Sequence, residues 1–148
     1  MAKDDKTNVM RLLEQAQIPY TAFYFDPDGE LPDEENSFKT LVTEDGKGGH
    51  YVFVIPVRCT LDLKKAARTA GVKSIAMIKQ KELLPLTGYV HGGCSPLGMK
   101  KPFPTYFDEI ALISDRFRCS AGRRGAQVEV DAEVLAALIG AEFADITE

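Results

Sequence analysis

Tryptophan is absent from this chain of 148 residues, which has only two histidines and three cysteines. Cys59, Cys94 and Cys119 are odd in number and far apart, fitting neither a disulfide framework nor a zinc knuckle, so reduced thiols and no metal centre are expected. No apolar run approaches the roughly 20 residues of a membrane span. The start, Met1-Ala2-Lys3-Asp4-Asp5-Lys6, leads into a polar helix rather than an apolar signal core. A soluble, cytoplasmic protein without a membrane partner is expected. Neither an internal repeat nor a dividing linker is present, so residues 1–148 read as one domain, and an apolar fraction of 45% can close its core.

Acidic charge is scarce in the middle of the chain and basic charge is missing from its end. Residues 1–36 carry three basic and nine acidic side chains, and residues 131–148 carry five acidic and none basic. Between them, residues 37–130 hold fifteen Lys or Arg against eight Asp or Glu. A basic centre on a protein of net charge −4 permits a polyanionic partner, because phosphate contacts supply most non-specific nucleic-acid affinity. An ordinary solvated surface with interspersed charges is the competing reading of any single basic pair.

Thr7 caps a first helix with Val9, Leu12, Leu13 and Ala16 on one face, stopped by Ile18-Pro19. Tyr20–Phe25 reads as a strand, and residues 26–36 as an acidic loop with two prolines. Phe38–Thr43 and Tyr51–Val57 form a hairpin around a glycine-rich turn. A helix over residues 60–71 ends at Gly71, a strand follows at Ser74–Ile78, and Lys81–Leu84 makes one helical turn before Pro85. Tyr106–Ile113, Phe117–Ser120 and Gln127–Val130 read as strands, and Asp131–Ile139 as a closing helix ended by Gly140. Hairpins mixed with short helices favour an α+β arrangement over a doubly wound sheet.

The run Gly88-Tyr89-Val90-His91-Gly92-Gly93-Cys94-Ser95-Pro96-Leu97-Gly98 can continue neither helix nor strand. Its composition fits equally a tight connection and a loop whose backbone N–H groups cradle an oxygen.

Four segments together are similar to the YbaK family, freestanding relatives of the editing domain inserted in bacterial prolyl-tRNA synthetases. They are Phe38-Lys39-Thr40-Leu41, Leu61-Asp62-Leu63-Lys64-Lys65-Ala66-Ala67, Thr87 to Gly98, and Ser120-Ala121-Gly122-Arg123-Arg124-Gly125, in the family's order and approximate spacing. The resemblance implies an α/β domain of α+β type, with a curled, barrel-like mixed β-sheet, flanking short helices and a central acyl pocket. It implies an enzyme, an aminoacyl-tRNA deacylase that clears mischarged tRNA in trans, Cys-tRNA(Pro) first and Ala-tRNA(Pro) or another small acyl group second. The implied partner is the 3′ end of tRNA(Pro), with prolyl-tRNA synthetase a further candidate; DNA is not a partner, and no cofactor is implied.

An aminoacyl ester is already activated, so the reaction needs a placed carbonyl and a nucleophile. Lys39 matches the family's functional lysine, and its ammonium suits holding a ribose, phosphate or carbonyl oxygen. Thr40 would support it by hydrogen bonding. Gly92, Gly93, Ser95, Pro96 and Gly98 would form one wall of the acyl pocket, Phe25 would contribute to it, and Ser120, Arg123 and Arg124 would make a second loop facing the tRNA end. For cysteinyl substrates the family mechanism uses the substrate's own thiol, so no protein nucleophile is required. His50 and His91 lack partners for a triad and read as ordinary polar residues.

This sequence departs from the family pattern in three places. The acidic loop 26–37 replaces a helical segment rich in Val, Lys and Leu; Gln127 stands where an acidic residue is common; and Cys94 replaces a branched aliphatic. Cys94 reads either as a small buried hydrophobe or as a nucleophile in the pocket wall. A non-catalytic module binding an aminoacyl group, a nucleotide or a synthetase is the alternative to the enzyme.

Overall fold

The Thr7 hydroxyl accepts from the Met10 amide at 3.3 Å and starts helix α1, Asn8–Gln15, whose buried face carries Val9, Met10 and Leu13. The computed structural model describes residues 5–148. Strand β1 is Thr21–Tyr24, and β2 (Phe38–Glu44) and β3 (His50–Pro56) form the expected hairpin, with Lys39 opposite Ile55. Helix α2, Leu63–Ala70, is capped by Asp62, which accepts from the Lys64 and Lys65 amides, and it ends at Gly71. β4 is the two-residue Ala76–Met77, shorter than the Ser74–Ile78 expected.

Helix α3, strand β5 and the acidic loop also differ from the sequence expectation. Helix α3, Leu83–Thr87, runs through Pro85 instead of ending before it, because a proline in the first helical turn forfeits an N–H that has no intrahelical acceptor. β5 spans only Thr105–Asp108, since the Asp108 carboxylate accepts from the Ile110 amide and turns the chain into a 3₁₀ segment, Glu109–Leu112. The acidic loop holds a 3₁₀ turn, Glu34–Asn36, preceded by Asp33 with φ at 50°. β6 (Arg118–Ser120), β7 (Ala126–Glu129), helix α4 (Ala132–Ile139) and an unforeseen strand β8 (Glu142–Ala144) complete the described elements.

The strands form two sheets. One has the order β1-β7-β6, all antiparallel; the other is β4-β2-β3-β5-β8, mixed, with β3–β5 and β5–β8 parallel. The α+β class holds, but the expected barrel is not closed: the sheets are joined through a single bridge between Ser37 and Arg118. β3 is buried on both faces. Val52 and Val54 enter a core shared with α1, α4 and the three-stranded sheet, while Phe53 and Ile55 pack against Leu61, Ala66 and Ala67 at α2.

β2 is left with a gap along one edge. β4 pairs only with Thr43 and Glu44, and β6 reaches only Ser37. The Ser37 carbonyl accepts from Val57 on the β3 side, whereas that of Val42 accepts from Ile78 on the other side. Strand alternation therefore turns the Thr40 amide and carbonyl into the gap.

Candidate functional site

A cavity of about 850 Å³ opens along this gap. Because it wraps a strand edge, it receives side chains from both faces of β2. Thr40 comes from the face of Phe38 and Val42, and Lys39 and Leu41 from the opposite one. Phe25, Pro27, Gly29 and Leu31 close one side, Met77 and Ile78 another, and Gly92, Cys94, Ser120, Arg124, Gly125 and Gln127 a third. The acidic loop is thus part of the pocket wall.

Of the residues expected at the site, Phe25, Lys39, Thr40, Gly92, Ser120 and Arg124 line one cavity. Lys39 is half-buried, and among the described residues no hydrogen bond or ion pair holds its ammonium. The hydrogen bond expected between Thr40 and Lys39 is not formed: Thr40 Oγ1 is buried without a partner, and the two side chains lie on opposite faces of the strand.

Gly93, Ser95, Pro96 and Gly98 lie behind the wall and hold it. A Cβ on Gly93 would sit 2.9 Å from the backbone of both Arg123 and Arg124, so glycine lets the two site loops touch main chain to main chain. Ser95 is fully buried and its hydroxyl accepts from the Leu97 amide at 3.3 Å, while Pro96 is buried beside it. Gly98 packs against Tyr89 and Leu12 of α1. Arg123 also lies outside the lining; its guanidinium stands over Tyr24, 5.5 Å from the ring centroid, and donates to the Arg124 carbonyl. Arg124 donates to Asp28 at 2.9 Å and to the Pro27 carbonyl, which ties the acidic loop across the mouth.

The thiol of Cys94 faces the cavity wall but is buried. Desolvation pushes its pKa up to about 12, against a smaller opposing effect of the Thr87 hydrogen bond. The same burial pushes Tyr89, behind the loop, to about 12. A polar network runs from Gln127, another lining residue, into the acidic loop. Gln127 Nε2 donates to Ser37 Oγ at 3.1 Å, and Ser37 Oγ donates to the Asp33 carbonyl at 2.9 Å. Asp33 is held in turn by Asn36 and lies 3.7 Å from both Arg116 and Arg118. Arg118 is buried, stacked 3.5 Å over the Phe23 ring and 3.5 Å from Glu129. Neither Ser37 nor Asp33 carries a sequence signal for this role, because the contact joins positions 90 residues apart.

A family model described as "Aminoacyl-tRNA editing domain" matches residues 30–138, a span that includes all four of the segments above. The chain belongs to this family. A curated protein of Enterococcus faecalis, provisionally named Cys-tRNA(Pro)/Cys-tRNA(Cys) deacylase EbsC, is 43% identical over 153 residues, covering 96% of this chain and 93% of that one. A crystal structure provisionally described as a trans-editing enzyme for prolyl-tRNA synthetase superposes with a TM-score of 0.82 at 25% identity, covering 97% of this chain and 99% of that one. A hypothetical protein shares the fold alone, with a TM-score of 0.85 at 24% identity over 96% of this chain and all of that one. The YbaK resemblance of the four segments is therefore confirmed, and an editing domain is by class an aminoacyl-tRNA deacylase. Among the described residues no group of His, Cys, Asp and Glu is arranged to hold a metal ion, and no helix is long and apolar enough to cross a membrane.

Proposed function

We propose that this editing domain hydrolyses mischarged aminoacyl-tRNA in trans, with Cys-tRNA(Pro) as its principal substrate and Lys39 positioning the ester. The observation that carries the proposal is the convergence of Lys39, the outward backbone of Thr40, the Gly92 turn and Ser120 on one cavity at the gap between two sheets. A half-buried ammonium with no competing partner suits the terminal ribose or carbonyl oxygen of the substrate. The Thr40 amide is a second donor on the same strand, fixed by the sheet before substrate arrives, as preorganised stabilisation of a developing oxyanion requires.

For a cysteinyl ester, the substrate sulfur attacks the acyl carbon and the bond between that carbon and the ribose 3′-oxygen breaks. The thiol proton passes to the departing 3′-oxygen, and the acyl group leaves as a cyclic thioester that water opens. This route asks the protein for placement rather than a nucleophile, in keeping with a Cys94 thiol held protonated by burial.

The test is deacylation of Cys-tRNA(Pro) and Ala-tRNA(Pro) by purified protein. Hydrolysis of the cysteinyl ester, lost by two orders of magnitude or more in Lys39→Ala with an unchanged melting temperature, is expected. Intact substrates after incubation at stoichiometric enzyme would overturn the proposal.

A further inference from the structure

The edge of β2 that borders the cavity lacks one rung of its ladder. On the β3 side the strand is paired throughout: the Ser37 carbonyl accepts from the Val57 amide at 2.9 Å, and Lys39 stands opposite Ile55. Pro56, which has no N–H to give, falls at the position opposite Phe38, where no ladder bond is made. Alternation sends the backbone groups of Phe38, Thr40 and Val42 to the other edge. There β6 bridges only at Ser37, and the Val42 carbonyl is taken by the Ile78 amide at 3.4 Å. Between these two contacts, the N–H and C=O of Thr40 are both unclaimed among the described residues. Thr40 lines the cavity although its hydroxyl oxygen is wholly buried, so its polar offering to a ligand is main chain. Backbone groups inside a protein almost always find partners, and a half-buried strand edge left open is a template for one more extended residue.

We infer that Thr40 binds the aminoacyl group as the missing rung and thereby selects its L configuration: the Thr40 N–H donates to the acyl carbonyl, and the Thr40 C=O accepts from the α-amino group. This rests on the editing function proposed above. Only in an antiparallel pair do two single residues exchange both bonds, and an α-aminoacyl ester carries the amine and carbonyl of one residue at a residue's own spacing. Its direction is then set. Running antiparallel to β2, the ligand carries its amine toward Leu41 and its ester oxygen toward Lys39, the residue proposed to position the ester. The side chain is set as well, since directly opposed residues project to the same face. Thr40 shares its face with Phe38 and Val42, so an L side chain enters the compartment of Phe38, Val42, Leu83 and Cys94, which belong to one core cluster and line the cavity. That compartment is apolar and suits a small thiol or methyl group. A D side chain in the same pairing turns to the face of Lys39 and Leu41 instead.

The experiment titrates three hydrolysis-resistant probes by calorimetry: 3′-deoxy-3′-(L-cysteinylamino)adenosine, its D-cysteinyl isomer and its desamino counterpart bearing a 3-mercaptopropionyl group. The L probe should bind roughly tenfold or more tighter than either of the others. Thr40→Pro removes an N–H that makes no ladder bond, a change that an open edge tolerates, and should weaken the L probe about tenfold and the D probe less than about twofold. Thr40→Val, which keeps the main chain, should leave the ratio of L to D affinity within about twofold of the parent. In hydrogen exchange followed by NMR, the Thr40 amide should exchange readily in the free protein and roughly tenfold or more slowly with the L probe bound. That reading needs no variant and decides alone if Thr40→Pro does not fold. Equal affinity for the L and D probes, or an L preference with Thr40 exchange unchanged, would overturn the inference. Because no probe is hydrolysed, L preference with a protected Thr40 amide supports the inference even where Cys-tRNA(Pro) is left intact, and that second result counts only against the proposed function.

Discussion

Replacing Cys94 with Ala or Ser separates a wall residue from a nucleophile, and the expected outcome is that activity survives. With the thiol pKa pushed to about 12, roughly one molecule in 30,000 carries a Cys94 thiolate at pH 7.5, against roughly one in ten for a free cysteine of pKa about 8.5. A nucleophile with that population forfeits a factor of roughly 10³ before any steric limit is counted. Cys94→Ala removes one sulfur atom from a wall residue that is 9% exposed, a truncation worth about 1 kcal/mol of stability. Deacylation of Cys-tRNA(Pro) by Cys94→Ala should stay within about threefold of the parent, whereas loss of an essential nucleophile costs roughly 10³-fold or more. Iodoacetamide at pH 7.5, followed by mass spectrometry of the folded protein, gives an independent reading. The half-buried Cys59 should be alkylated first, with Cys94 and Cys119 labelled only after unfolding. Rapid labelling of native Cys94, together with loss of activity in both variants, would refute the reasoning from burial to chemistry.

Gly93→Ala should destabilise the protein by about 1–3 kcal/mol in urea titration and raise KM, because the new methyl group meets the Arg123 and Arg124 backbone at 2.9 Å. Arg118→Met should cost about 2 kcal/mol, since Arg116 remains to pair with Glu129 and Asp33; an unchanged denaturation midpoint would show that the buried guanidinium holds nothing. Asp62 has a carboxyl pKa below its ordinary 3.8, chiefly through the Lys65 amide, so its stabilisation is present above that value and is lost as pH falls. Asp62→Ala should therefore melt lower than the parent at pH 7, with the difference closing as pH drops below about 3.8, as followed by circular dichroism. The cations lining the cavity are Lys39 and Arg124, so the logarithm of tRNA affinity should fall with the logarithm of salt at a slope no steeper than about −2. A slope beyond about −4 would reveal a phosphate track elsewhere.

The local elements were legible wherever a short-range rule acts alone. Thr7, Gly71, Asp131 and Gly140 bound helices as their residue types require, and the β2–β3 hairpin follows from alternation around a glycine-rich turn. The end of β5 was not legible, because Asp108 stops it by capping a turn and by accepting from Ile146 across 38 residues. β8 is too short to carry a periodic signal and exists through parallel pairing with β5. At the candidate site, residues of three of the four segments meet at one cavity. Sequence could not divide lining from support. Gly92 and Gly93 are adjacent and similar in type, yet one borders the cavity and the other is the contact surface between two loops.

The acidic loop 26–37 gains its meaning only in three dimensions. In the sequence it reads as the replacement of a helical segment, which leaves closure of the pocket open. In the structure, its carboxylates meet arginines of the second site loop and of β6 and the segment before it: Asp28 holds Arg124, and Asp33 lies against Arg116 and Arg118. Part of the basic surplus of residues 37–130 is thereby used within the molecule, and Arg118 is buried altogether. The loop contributes Pro27, Gly29 and Leu31 to the cavity, and Ser37 at its end accepts from the Gln127 amide. The charge segregated along the chain is thus partly neutralised within the molecule, three arginines of the basic middle meeting the acidic loop. Because the exposed Asp28–Arg124 pair is screened by water and worth little to stability, a phosphate arriving at the mouth can displace Asp28 at small cost, whereas the Asp33 anchor beneath it stays in place. Under the editing function proposed above, discrimination between acyl groups would rest on the fixed part of the wall, and the exchangeable part would serve the tRNA.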